Sequence, residues 1–485
     1  MKISRRSLLK SALAGVPILV SAGAVGLADE AAPSERVRVG IIGQGGRGRG
    51  FLHSYLRDAK NIEIGGVCDI FEPRLADAAK SFPNIPRYTD FRKMIEEQKL
   101  DGVLVETVTH QRVWVGIQAM LMGMHVYMEK PMALTVKEGR AMVNAARKLK
   151  KVVQVGTQQR SLPLCKWACE QIANGAIGQV KTVLVPNFVG PYPFPDDDPK
   201  YNLDPKDCPD WWNMWTNQAK LRACLPEVQF GWARWADYDA GGLCFGVSGW
   251  GTHSFDQMQM AIGTSLTGPT RIRLEEPCTV QDSGKYPNRA YGEEETGVQY
   301  YGMARVTGPR ARMKMWFDNV ASNAGGEDKV MSPKKPDSKI TTSNQEPTLS
   351  GVEVRFELDG DRGPGLGCIV VGDKGKMEIN RHKVSSNPKE IAASLPEECK
   401  NTRNETVYHA ENWADCIKTG KTPNADVEIG QRSTTICELV NIVRAAAPVG
   451  KDVHWDPVKE EFTDLPEGNK LLSRPRREGW ELPEV

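Results

Sequence analysis

The run Gly43-Gln44-Gly45-Gly46-Arg47-Gly48 has the spacing G-x-G-x-x-G. It lies between an apolar, β-branched stretch, Val37–Ile42, and a helix predicted through about Asp58. Each glycine has a mechanical use. Gly43 permits a tight turn, Gly45 lets the backbone approach a pyrophosphate, and Gly48 lets the helix lie close on the strand. Unpaired N–H groups and the helix macrodipole favour anions at that N-terminus. The chemistry this predicts is a grip on the phosphates of a dinucleotide, with Gln44, Gly46 and Arg47 in the same cradle. Asp69 ends the second predicted strand, Asn61–Cys68, 26 positions beyond Gly43. A carboxylate there can accept hydrogen bonds from the adenosine ribose hydroxyls and repel a 2′-phosphate, which points to NAD. Arg74 stands close by and can stack on adenine or meet a phosphate, which keeps NADP open.

These residues need a scaffold, and the next hundred residues describe one. Helix signals run over Glu72–Lys80, Asp90–Gln98, Gln111–Met122 and Val136–Leu149. Short apolar stretches at Val103–Val105, His125–Met128 and Val152–Val155 alternate with them as strands. Such alternation predicts a doubly wound parallel sheet, an α/β Rossmann domain over residues 36–160. Ligands of such sheets bind at the carboxyl ends of strands. Glu106, His110, Glu129, Lys130 and Gly156–Arg160 all fall there.

The glycine turn, Asp69, Glu129-Lys130-Pro131 after a strand and the later His253 together resemble the glucose–fructose oxidoreductase/inositol dehydrogenase (Gfo/Idh/MocA) family. The likeness spans most of the chain after its first thirty residues. Thr107-Val108-Thr109-His110 is similar to the family's T-P-x-H turn, with Val108 where proline is usual. Ala119–Pro131 is similar to its A-x-x-x-G-x-H-V-x-x-E-K-P stretch, and Ile172–Val180 to the start of its second domain. Glu-Lys-Pro is the most specific of these pieces. The resemblance implies an NAD(P)-dependent oxidoreductase acting on CH–OH groups of a sugar, polyol or related small molecule, usually as a homo-oligomer. It places Lys130 and His253 in the catalytic machinery. It also implies an acid four residues before the histidine, but that position is Gly249, with Ser248 beside it. A complete Lys–Asp–His set is therefore not expected. Asp256, three residues after His253, can share its helix face.

Oxidising a secondary alcohol requires a hydride acceptor and a base for the hydroxyl proton. A group titrating near neutrality suits the second task, and His253 is the candidate. Lys130 would hold the substrate oxygen and stabilise developing alkoxide charge. Glu129 can pair with Lys130 or orient nearby backbone. His110 and Arg160 are weaker pocket candidates. Two further readings stay open: a glycosidase using retained NAD in a transient oxidation and elimination, and a non-catalytic nucleotide-binding homologue.

From about Ser161 the simple alternation stops, and an α+β domain with a large, mainly antiparallel sheet is expected over 161–447. Strands are predicted at Lys181–Val185, Val298–Val306, Ala311–Phe317, Val352–Leu358 and Cys368–Val371, with a hairpin over Gly372–Ile379. Helices are predicted at Lys166–Asn174, from Gly249 through about Ile262, and at His409–Thr419 and Ile429–Ala447. Pro191–Asp210 reads as a surface loop, Ser322–Ser350 as an exposed insertion and 448–485 as a polar tail. Trp211, Trp212, Trp215, Trp232 and Trp235 cluster, either as core or as an apolar wall suited to the C–H faces of carbohydrate.

The remaining features bound the class. The chain has 485 residues, with 63 basic and 61 acidic side chains and a mean hydropathy of −0.43. A near-neutral body argues against a nucleic-acid binder. Eleven cysteines without a CxxC pair predict no disulfide framework, and no metal-ligand spacing is present. Cys165 and Cys169, four apart, read as packing residues of one helix. Ser4-Arg5-Arg6-Ser7-Leu8-Leu9-Lys10 precedes an uncharged apolar run, Ala12–Ala28, that is short of the roughly 20 residues needed to span a bilayer. Residues 1–28 thus resemble a twin-arginine signal peptide, which implies recognition by that export machinery and a periplasmic or otherwise exported location.

Overall fold

The structure, a computed structural model, describes residues 35–242, 245–287, 303–318, 351–359 and 364–485. The expected signal segment, the first part of the predicted strand Val298–Val306 and the insertion Ser322–Ser350 lie outside the described residues. Among the described residues no helix is long and apolar enough to cross a membrane.

The first sheet contains β1 (Val37–Ile42), β2 (Ile62–Cys68), β3 (Arg87–Tyr88), β4 (Gly102–Val105), β5 (His125–Met128) and β6 (Val153–Val155). Its order is β3-β2-β1-β4-β5-β6, and every pair is parallel. Successive side chains of a strand face opposite ways, so each face must find its own apolar cover. Val37, Val39 and Ile41 pack with Leu104, Tyr127 and the helix Gly46–His53. Val103, Val105, Val126 and Met128 pack on the other face with the helices Arg112–Leu121 and Val136–Lys148. The first face is closed by Trp413 of the helix Glu405–Thr419, which comes from the far end of the chain. Strand order reverses between β1 and β4, the place where such sheets open a crevice at their carboxyl ends.

The second sheet has nine strands: β7 (Val180–Pro186), β8 (Arg271–Leu274), β11 (Met313–Phe317), β12 (Val352–Leu358), β13 (Cys368–Gly372), β14 (Lys376–Asn380), β15 (Lys383–Asn387), β16 (Asp452–Asp456) and β17 (Glu461–Phe462), while β9 (Thr279–Pro287) and β10 (Met303–Arg310) pair separately as an antiparallel ribbon. Its order is β15-β14-β13-β7-β12-β11-β8-β16-β17, antiparallel throughout except at β7–β12. The two-part α/β and α+β architecture expected from the sequence is the one observed. Alternate residues such as Val183, Val185, Met313, Met315 and Phe317 line one face. That face packs on the helices Pro163–Ala173, Trp250–Ala261 and Val427–Ala446, and the middle one carries His253. Cys165 and Cys169 are buried on the first of these, and the ten described cysteines are all free.

Two segments differ from their reading as surface. Pro191–Asp210 buries Phe194 and Tyr201 against Trp235, Tyr238 and the Arg222 guanidinium. The stretch from 448 onward supplies β16 and β17 and then crosses back over the first half. There Arg476 pairs with Glu138, Arg477 binds the carbonyls of Asn213 and Asn217, and Trp480 packs on Trp114 at 5.2 Å. Arginines and a tryptophan among prolines read as polar punctuation, but their stems and ring carry the packing.

Candidate functional site

A cleft of about 310 Å³ opens at the β1/β4 crevice. Gly43, Gly45, Gly46 and Arg47 of the glycine turn, with Asp69, Arg74, Glu106, Glu129, Lys130, Asp239, Ser248 and His253, line it. The turn is built as its spacing requires. Gly43 has φ +96°, and a Cβ there would press on the Glu106 backbone. A Cβ on Gly48 would overlap the Gly43 carbonyl oxygen, so this glycine serves helix packing and does not line the cleft. A Cβ on Gly46 would meet nothing within 4 Å. No acid stands in the first helical turn to oppose an anion.

The other cradle residues are held by partners within the protein. Gln44 is fully buried and outside the lining; its backbone N–H donates to Asp69 Oδ2 at 2.7 Å. Asp69 also accepts from the Phe71 N–H at 2.8 Å, and Arg74 stands 3.6 Å from it. Arg47 donates to Glu129 at 2.7 Å and to Thr406 at 3.2 Å, with its guanidinium over the Phe51 and Tyr55 rings. Glu129 therefore takes Arg47 as its ion-pair partner rather than the Lys130 ammonium. Its other oxygen orients backbone by accepting from the Lys130 N–H at 2.8 Å. Burial alone would push the Glu129 carboxyl up; Arg47, Lys130 and Arg112 overcome that and hold it below the usual carboxylate range.

Lys130 follows β5 and reaches across the cleft to donate to the carbonyl of Gly249 at 2.8 Å and that of Ser248 at 3.5 Å. Burial lowers its pKa, and Glu129 opposes the shift. His253 sits in the first turns of its helix, 6 % exposed, and its Nδ1 has no hydrogen-bond partner among the described residues. Burial, then the charges of Arg381 and Lys130, push its pKa well below the ordinary histidine value. The imidazole is thus neutral at neutral pH, and the same burial makes it a weaker base than an ordinary histidine. Glu106 is buried beside the turn with neither carboxyl oxygen hydrogen-bonded among the described residues; burial and then Glu129 push it well up, toward the neutral acid.

Three candidate residues, His110, Arg160 and Asp256, are corrected. His110 lies behind the wall, 1 % exposed, with Nε2 bonded to the Trp215 carbonyl at 2.9 Å; it does not line the cleft. Arg160 and Asp256 form a fully buried ion pair at 2.8 Å, so neither is available to His253. The tryptophans divide: Trp215 and Trp232 line the cleft, whereas Trp212 is fully buried and stacks on Trp215 at 4.5 Å. Asp239, Arg381 and Trp480 enter the lining without having been singled out. The acid Asp239, just ahead of Gly241-Gly242, was the one detectable in the sequence.

Residues 37–157 match the model for the oxidoreductase family, NAD-binding Rossmann fold, and residues 354–482 match that family's C-terminal alpha/beta domain. The chain belongs to the Gfo/Idh/MocA oxidoreductase family. It is 30% identical over 147 residues to a D-glucoside 3-dehydrogenase of Escherichia coli (strain K12), covering 30% of this chain and 42% of that one. It is 30% identical over 177 residues to a glycosyl hydrolase family 109 protein of Shewanella pealeana, covering 31% and 38%. The chain thus matches about two fifths of the length of these curated relatives. The aldose-aldose oxidoreductase of Caulobacter crescentus, solved with glycerol, superposes with a TM-score of 0.52 at 16% identity, over 86% of this chain and 99% of that one, and shares the fold.

The residues present fit the NAD of this family. The open space at Gly46, the positive φ of Gly43, the acid-free helix start and Asp69 at the end of β2 form one continuous cradle. Trp215, Phe230, Trp232 and Trp480 add apolar walls beside it.

Proposed function

We propose that this chain is an exported, NAD-dependent oxidoreductase that oxidises a secondary hydroxyl of a sugar, polyol or related compound. The observation that carries this reading is the convergence of Lys130 and His253 on the cleft that also holds the Gly43–Gly48 turn. Bound NAD supplies the hydride acceptor. Gly43, Gly45 and Gly46 would offer backbone to its phosphates, and Asp69 would accept from its adenosine ribose. Lys130 donates a hydrogen bond to the substrate oxygen and stabilises the alkoxide as it forms. Neutral His253 receives the hydroxyl proton. The tryptophan walls seat the C–H face of the substrate and keep water away. Export by the twin-arginine route is supported by Arg5-Arg6 ahead of Ala12–Ala28, and it suits a protein that closes around its cofactor before crossing a membrane.

The test is to purify the full chain, load NAD and follow nicotinamide absorbance against a panel of sugars and polyols. Reduction with at least one of them is expected. A chain that binds no nicotinamide nucleotide contradicts the proposal. The similarity to a glycosyl hydrolase family 109 protein favours a second reading, in which the same residues oxidise the sugar only transiently and a glycoside is cleaved. Cleavage of an aryl glycoside without net NADH selects it.

A further inference from the structure

Position 249 offers a backbone carbonyl where the family resemblance implies a side-chain acid, and a carboxylate from another loop binds the neighbouring Ser248 hydroxyl. Asp239 is fully buried and lines the cleft. Its two oxygens take hydroxyl hydrogen bonds from opposite walls: Oδ1 from Thr109, at the end of the crevice after β4, and Oδ2 from Ser248, beside the His253 helix. The turn around it is made for this contact. A Cβ on Gly242 would collide with the Asp239 carboxylate. The carbonyl of Gly241, whose φ is +97°, accepts from the N–H groups of Ser248 and Gly249 at 3.2 and 3.3 Å. Asn441 donates to the Ala240 carbonyl at 3.0 Å and pins the turn from behind.

Ser248 is shared. Its hydroxyl donates to Asp239, and its carbonyl, with that of Gly249, receives the Lys130 ammonium. We infer that Asp239 is a positioning residue for Lys130: by fixing Ser248 and Gly249 it aims the ammonium into the cleft, and its carboxylate is a second buried counter-charge, after Glu129, on the far side of that contact, with Arg112 and Arg47 the cations that face the same ammonium. Lys130 and Arg112 both act on the Asp239 carboxyl, against the upward push of burial, and Glu438 is the further acid that feels it. This inference rests on the proposed role of Lys130, but its test does not need turnover.

The experiment is competitive acylation of the NAD-loaded full chain with acetic anhydride across pH, read at Lys130 by peptide mass spectrometry. Asp239→Asn removes the charge at nearly constant shape, and Ser248→Ala breaks the link while keeping the charge. Loss of a neighbouring opposite charge is expected to lower the Lys130 midpoint by about one pH unit in Asp239→Asn. In Ser248→Ala the midpoint moves in the same direction by less. The midpoint of exposed Lys150 should stay put in both, and NAD binding should persist. An unmoved Lys130 midpoint in folded Asp239→Asn overturns the inference. If Asp239→Asn does not fold, an unmoved midpoint in Ser248→Ala does so. Failure of the wild-type chain to bind NAD instead contradicts the reading of the cleft.

Discussion

Lys130 Nζ donates to the carbonyl of Gly249 at 2.8 Å, across 119 positions of chain. One hydrogen bond thereby joins the end of a Rossmann strand to the N-cap of the helix that carries His253. The two halves of the molecule meet at the groups proposed to handle the proton.

Removing the ammonium should remove transition-state stabilisation without emptying the cradle. Lys130→Met is expected to lower the rate of nicotinamide reduction by roughly 10²–10³-fold, the usual loss for one oxyanion donor. NAD affinity, followed by tryptophan fluorescence, should change little.

His253→Asn tests the base. A loss of roughly 10²–10⁴-fold is expected. In the wild type, burial keeps the imidazole neutral well below the ordinary histidine range, so turnover should persist as pH falls through 6.5. A rate that halves at an ordinary histidine pKa would contradict the buried neutral form.

The glycine turn separates packing from binding. Gly48→Ala must displace the Gly43 carbonyl and is expected to cost about 1–3 kcal/mol of stability, seen as a lowered Tm, together with NAD binding. Gly46→Ala adds a methyl group to open space. Its Tm should match the wild type, whereas NAD binding weakens where the methyl meets the phosphates.

Much of this was legible in the sequence for physical reasons. Continuous burial of β4 and the glycine spacing after β1 are local patterns, and local patterns are what composition and period can report. Lys130 and His253 were recognisable from their surroundings. The rest depends on contacts between distant segments. His110 looked like a pocket residue because it follows β4, yet its ring turns inward to Trp215 and Tyr238. Asp256 shares the helix of His253 but is engaged by Arg160 from 96 positions away. Trp480 lies in a stretch without apolar periodicity, so nothing near it signals that it closes on Trp114.

Acid should destabilise the fold in a defined window. Burial lowers the His110 pKa to about 3 and that of His409 to about 4, against about 6.5 for an ordinary histidine. The unfolded chain therefore binds more protons on acidification. The contribution of these groups is complete above about pH 6.5 and is lost as pH falls toward the folded values. At pH 4.5 each is expected to have cost on the order of 2–3 kcal/mol, visible as a fall in Tm between pH 7 and 4.5. A flat profile there would mean that both rings are charged or solvated in the fold.

One cleft is proposed to bring a hydride acceptor, Lys130 and His253 to the same alcohol carbon. The most direct measurement is isotopic: incubate the NAD-loaded full chain with carbon-deuterated sugars and inositols, quench, and weigh the nicotinamide nucleotide. Deuterium is expected in the cofactor of the wild type and none in the Lys130→Met/His253→Asn pair variant. A wild-type cofactor that stays unlabelled with every substrate, or a variant labelled as fast as the wild type, contradicts the proposal.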